Sequence, residues 1–265
     1  MKQKLMNTLL AMAEHSAATF RKELNDYVSI FKNKQGFFKG VKNTFVPRDG
    51  FPDEPSKQGV TMVQSTVDEQ FDWFIKHIAS KYLTEQFAIE ATNSQGAPKV
   101  ELIVDGKSFG CLTALELMRL KSILTDGAFD EMLKNIPVRS DSEVWTKSNC
   151  PEYTNREVYE TQMLKGVTRT TEKHEEILKD PNIDPEHIPS AYRAQVSVKN
   201  ITVETGDYTS QKFSGEWTQT QKAALLDRKS ALLGSVIAAL KEVNAMESAD
   251  TNLDVDGMLS YIFKG

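Results

Sequence analysis

The longest apolar stripe in the chain sets the first constraint on its fold. From Gln219 to about Met246, Leu225, Leu226, Leu232, Leu233, Val236, Ile237, Leu240 and Val243 recur at helical spacing, with Asp227, Arg228, Lys241 and Glu242 on the other side. Thr218 and Gln221 form a capping-box pattern at its start, each side chain placed to satisfy the other's free backbone donor. At 1.5 Å per residue such a helix is roughly 40 Å long, and its stripe needs cover along the whole length.

A second stripe opens the chain. Leu5, Leu9, Met12, Phe20, Leu24, Tyr27, Val28 and Phe31 predict a helix from about Lys2 to Asn33. Laying the two terminal helices together in coiled-coil fashion hides both stripes, with copies from a second subunit if the protein is a homo-oligomer, a two-fold dimer being favoured. The alternative is that each helix packs separately on a sheet.

The middle of the chain reads differently. Phe37–Val46 has strand character, followed by a stiff turn with Pro47, Gly50, Pro52 and Pro55. Thr66 and Glu69 cap a helix running to about Ala91. Asp105-Gly106 between two strand-like runs is the strongest hairpin signal, because both residues tolerate the positive φ of a type I′ turn. Thr113 and Glu116 begin a helix to Leu124, and a short helix follows before Pro137. Strands are expected at Glu143–Lys147, Arg156–Gln162 and Tyr192–Thr205, with a bulge near Lys199-Asn200, a turn at Gly206-Asp207 and a return strand over Tyr208–Trp217. The stretch 166–178 fits strand or helix, and Lys179–Ser190 is a proline-rich loop. The expectation is one α+β unit over 1–265: a β-rich middle at 100–217, and a helical layer built from 1–33 and 219–264.

Charge and motifs narrow the function classes. With 32 basic and 37 acidic residues the net charge is −5, against a duplex nucleic acid as main partner. No apolar run reaches the ~20 residues of a membrane span, and two cysteines, Cys111 and Cys150, fit a reducing, cytoplasmic setting. His15, His77, His174 and His187 show no metal-site spacing, and Cys-x-x-Cys, Gly-x-Ser-x-Gly and phosphate-loop motifs are absent, so no cofactor or metal is expected. This leaves cations and hydroxyls on β-rich segments: Lys39, Lys42, Thr44 and Arg48; Arg169, Thr170 and Lys173; Lys212, Ser214 and Gly215, with Lys42, Thr44, Arg48, Arg169, Thr170, Lys212 and Ser214 as the candidate ligand residues. Such groups bind phosphate, and Trp145, Tyr153 and Tyr208 are able to stack on a base. If the three segments converge, they form a pocket for an anionic small molecule such as a nucleotide. Interleaved carboxylates, Asp49 and Glu172 being the candidates, would instead make the cluster structural. The expected function is thus a non-enzymatic oligomeric binding protein, one form being sequestration of a signalling nucleotide. The alternatives are a helical scaffold with no small-molecule ligand and an unrecognised hydrolase or transferase.

Several stretches in fixed order, Lys42-Asn43-Thr44-Phe45, Pro47-Arg48-Asp49, Val104-Asp105-Gly106, Thr168-Arg169-Thr170, Ala194-Gln195-Val196 and Lys212-Phe213-Ser214-Gly215, followed by the closing helix, resemble an uncharacterised bacterial family of similar length common in actinobacteria. The departures are the longer Lys179–Ser190 segment and Tyr192-Arg193, where the family more often has His-Pro. The resemblance implies the architecture and no particular activity.

Overall fold

The structure, a computed structural model, describes residues 6–178, 195–245 and 254–264. The predicted loop at Lys179–Ser190 and the predicted ends of the terminal helices at Lys2 and Met246 lie outside them. The fold is α+β, and its described residues gather into two compact units. One takes the described parts of Met1–Asn33, Asp72–Ile136 and Gln219–Gly265, so both chain ends belong to it; the other takes Lys34–Phe71 and Pro137–Thr218.

The first unit is mainly helical. Helix α1 spans Met6–Asn33; α2, Val67–Phe74, starts in the other unit and its last residues belong to this one. The latter continues through a π turn at Ile75–Ala79 into α3, Ser80–Asn93. The hairpin strands β3 and β4, Lys99–Val104 and Lys107–Thr113, are joined by Asp105 and Gly106, at φ of 48° and 77°. Those positive angles are what the Asp-Gly turn requires. Helix α4 follows at Ala114–Leu124, where Thr113 and Glu116 close the predicted capping box. Helix α5 spans Gly127–Lys134, and α6 spans Gln219–Asn244.

The terminal helices do not rely on each other for their main cover. Helix α1 packs on α3 and α5, with Phe20 stacked on Tyr82 at 4.2 Å. Helix α6 packs on α4 and β3. There Val236, Ala239, Leu240 and Val243 bury against Val100, Leu102, Leu117 and Leu124. A hairpin strand with alternating burial supplies an apolar face that a second long helix would otherwise have had to provide.

The second unit is built on an antiparallel sheet in the order β2-β1-β8-β6-β5, with β7 also on β8. The strands are β1 Lys39–Pro47, β2 Gly59–Thr61, β5 Trp145–Lys147, β6 Tyr159–Thr161, β7 Leu164–Leu178 and β8 Gln195–Ser214. The ambiguous stretch 166–178 is therefore strand. Two expectations are corrected. Gly206-Asp207 is not a turn, because β8 runs straight through it. A Cβ on Gly206 would lie 2.3 Å from the Phe45 ring, so glycine is there to let an aromatic side chain cross the strand. The bulge is not at Lys199-Asn200, which pair regularly with His174 and Lys173. The register shifts where Thr168 faces Gly206 and Arg169 faces Glu204, leaving Thr205 as the extra residue. The apparent phase slip came from β-branched residues on both faces of a two-stranded ribbon. Beyond Pro47, which faces Gly206, β1 ends and, among the described residues, only β7 accompanies β8.

Candidate functional site

Antiparallel pairing decides which predicted site residues can meet. Residues directly opposite share a face, and successive residues alternate. Lys39 faces Ser214 and Val41 faces Lys212, so Lys39, Lys212 and Ser214 lie on one face; Lys42, facing Gln211, lies on the other. Lys42 and Lys212 are thus neighbours in register that project away from each other.

On the Lys212 face, the end of β8, the start of β1 and the 140–145 segment enclose a concavity of about 440 Å³. This lies within the range of small-molecule pockets. Its cations are Lys39 and Lys212, its hydroxyls are Ser140, Ser142 and Ser214, and its aromatic wall is Trp145. Two carboxylates complete it. Glu143 pairs with Lys212, and Glu216 lies 3.5 Å from Lys39. Glu216 is buried, with one carboxylate oxygen accepting from the Ser214 hydroxyl at 3.1 Å. The Trp145 indole donates to the Ser140 carbonyl at 2.9 Å, which fixes its plane.

Beside this concavity sits Arg139, only 8% exposed. Its guanidinium stacks on the Tyr159 ring at 3.7 Å and donates to the Glu216 carbonyl at 3.5 Å. Among the described residues it forms no ion pair. A buried cation without a carboxylate leaves positive potential that an anion would neutralise.

The opposite face anchors this part of the sheet. Phe213 packs with Val63, Tyr153 and Val158. The Tyr153 hydroxyl accepts from the Val63 amide at 3.0 Å. Arg156 donates to both oxygens of Glu69, at 2.7 and 2.9 Å, and to the carbonyls of Val63 and Gln64. Hydrogen bonds from Arg156 above all hold the Glu69 carboxyl below its ordinary pKa, helped by the Thr66 amide, with burial opposing. Glu69 is also the capping partner of Thr66, so one carboxylate ties the start of α2 to the loop after η-turn Pro151–Tyr153.

The remaining predicted residues lie elsewhere. The Thr44 and Thr209 hydroxyls bond each other across β1 and β8. Arg48 and Arg169 come together, and what joins them is Glu204: Arg48 pairs with it and with Asp207 at 3.1 Å, while Arg169 reaches it at 3.1 Å. Hydrogen bonds from Arg169 and then Arg48 pull the Glu204 carboxyl below its ordinary range. The carboxylates in this cluster are Glu204 and Asp207 where sequence pointed to Asp49 and Glu172. Thr170 sits opposite Val203 in the ribbon, and Lys42 is exposed. Sequence reasoning missed Ser140, Ser142, Glu143, Glu216 and Arg139. The available signal was the Arg-Ser-Asp-Ser-Glu run before Trp145 and the Ser-Gly-Glu step at the end of β8.

A model of one protein family, a family of unknown function (DUF7873), matches residues 3–265. The chain belongs to that family. No curated protein and no solved structure matches it. Membership of DUF7873 agrees with the resemblance seen in the sequence and, like it, carries no activity. The site must therefore be read from its chemistry alone. Among the described residues no group of three or more His, Cys, Asp or Glu side chains is placed to hold a metal ion, and no helix is long and apolar enough to cross a membrane.

Proposed function

We propose that the protein is a non-enzymatic binding protein that holds a small anionic ligand of nucleotide type in the concavity between β1, the end of β8 and the 140–145 segment. The observation that carries this reading is the convergence there of Lys39, Lys212, three serine hydroxyls and Trp145. Lysines and hydroxyls suit a phosphate, the indole suits a base, and the carboxylates of Glu143 and Glu216 are acceptors for ribose hydroxyls. Lys212 and Ser214 are the predicted ligand residues that belong to it. Lys42, Thr44, Arg48, Arg169 and Thr170 do not line it. The protein acts in the cytoplasm as a homo-oligomer, a dimer being favoured.

A thermal-shift screen with nucleotides and phosphate esters tests the reading. It expects a concentration-dependent rise in Tm that Lys212→Ala abolishes. A rise that survives Lys212→Ala would place the ligand elsewhere.

A second reading, a scaffold without a small-molecule ligand, draws on the ribbon of β7 and β8 beyond Pro47. Ile177, Val196, Val198 and Ile201 are exposed there, and neither outer edge of the ribbon is paired among the described residues. Open edges of this kind are templates for strand addition by a partner. A flat response to every nucleotide together with capture of an extended peptide would favour it.

A further inference from the structure

Helix α7, Val255–Lys264, carries Val255, Met258, Leu259 and Ile262 at successive one-turn steps. These four side chains are 42%, 44%, 42% and 60% exposed, so the stripe has no cover. A groove of similar length exists on the same unit. Helices α4 and α6 lie side by side, and the one-turn steps Met118, Lys121, Thr125 and Ile237, Leu240, Lys241 line a groove between them. Its floor is apolar, with Met118 57% and Ile237 37% exposed, and its rim carries the two lysines. The groove follows about eight residues of each helix, roughly 12 Å, and α7 with its ten residues is roughly 15 Å long. Charge matches too. The first turn of α7 bears Asp254 and Asp256, with Asp254 accepting from the Gly257 amide, while among the described residues Lys121 and Lys241 pair with no carboxylate.

We propose that α7 of a second copy of this chain docks in the α4–α6 groove, reciprocally, so that two equivalent helix-in-groove contacts hold a two-fold dimer. This rests on the dimer named above and specifies its interface. The two contacts are reciprocal and related by a two-fold axis, so both helices and both grooves are used and the assembly closes at two subunits. Met118 and Met258 add adaptable apolar surface of the kind used in helix-in-groove recognition. Lys121 and Lys241 meet Asp254 and Asp256 at the rim, where charge fixes the direction of docking more than the affinity.

The test is the mass of the full chain in solution, by light scattering and sedimentation, for the parent, for Leu259→Asp and for Ile237→Asp. Both substitutions fall on exposed positions, and circular dichroism spectra are expected to match the parent. The parent is expected to be a dimer, and each variant is expected to weaken self-association about tenfold or more. An equimolar mixture of the two variants keeps one intact contact, the α7 of the Ile237→Asp copy in the groove of the Leu259→Asp copy. It is therefore expected to form heterodimers where neither variant dimerises alone. A dimeric parent whose mass neither substitution changes would leave the dimer standing and overturn this interface. A monomeric parent would overturn both.

Discussion

Two groups of cations lie along β8, separated by eight residues or about 26 Å of strand, and they have opposite fates. At the Lys212 end the strand lies between β1 and β6, and Lys212 and Lys39, paired with Glu143 and Glu216, share a concavity with serines and an indole. At Glu204 the strand has, among the described residues, only β7 beside it, and Arg48 and Arg169 are held by carboxylates on an open ribbon. The residue types are alike. Both groups meet carboxylates, and the difference is the number of neighbours the topology supplies: a two-stranded ribbon leaves its ion pairs in the open, whereas a strand flanked on both sides and overlaid by a loop gathers them in a cavity. A basic residue on a strand is thus weak evidence for a site until the register and the third neighbour are known.

The largest expected effect lies beneath the pocket. Phe213→Ala removes a buried ring from the cluster with Val63, Tyr153 and Val158, and should cost about 3–5 kcal/mol in urea unfolding. A loss no greater than that of a surface substitution would mean that the two ends of β8 are equally loose, and the contrast would fail. Arg156→Ala comes next. It strands the Glu69 carboxylate and two carbonyls, for about 2–3 kcal/mol by the same measurement.

The sign of the pH effect follows from Glu69. Its pKa is lowered in the folded state, so the stabilisation is present above the ordinary glutamate pKa and lost as pH falls through the lowered value. Urea midpoints of the parent should therefore drop more steeply with acid than those of Arg156→Ala, and parallel curves would remove Arg156 as the cause.

Smaller still is the effect of Trp145→Leu. The fold should keep its melting temperature within a few degrees, because the indole is half-buried at the rim, while nucleotide-induced stabilisation disappears. An unchanged nucleotide response would take base stacking out of the account. The smallest effect belongs to the ribbon. Arg169→Ala should leave both the unfolding midpoint and any ligand response unchanged, since exposed ion pairs add little. A clear loss of ligand response there would make the arginine cluster part of the site.

Much of the fold was legible because local chemistry dictated it. Asp105-Gly106 required a hairpin, Thr113 with Glu116 and Thr66 with Glu69 required helix starts, and the β5–β6 pairing followed from two short alternating runs. Gly206 was misread because the ring of Phe45, 161 positions earlier, is what gives it a purpose. The cover for α6 was likewise nonlocal: β3 and α4 do what a partner helix was expected to do. The site was half legible. Lys212 and Ser214 stood out by type, yet their separation from Lys42 depends on strand parity, and their meeting with Ser140, Ser142 and Glu143 depends on a loop whose path no periodicity encodes.

Calorimetric titration of a nucleoside, its monophosphate and its triphosphate into the parent, Lys212→Ala and Arg169→Ala tests the central claim most directly. Affinity for the parent should rise with phosphate charge, Lys212→Ala should lose that gain, and Arg169→Ala should bind as the parent does. Binding that is indifferent to Lys212 and sensitive to Arg169 would contradict the assignment of the pocket at the end of β8.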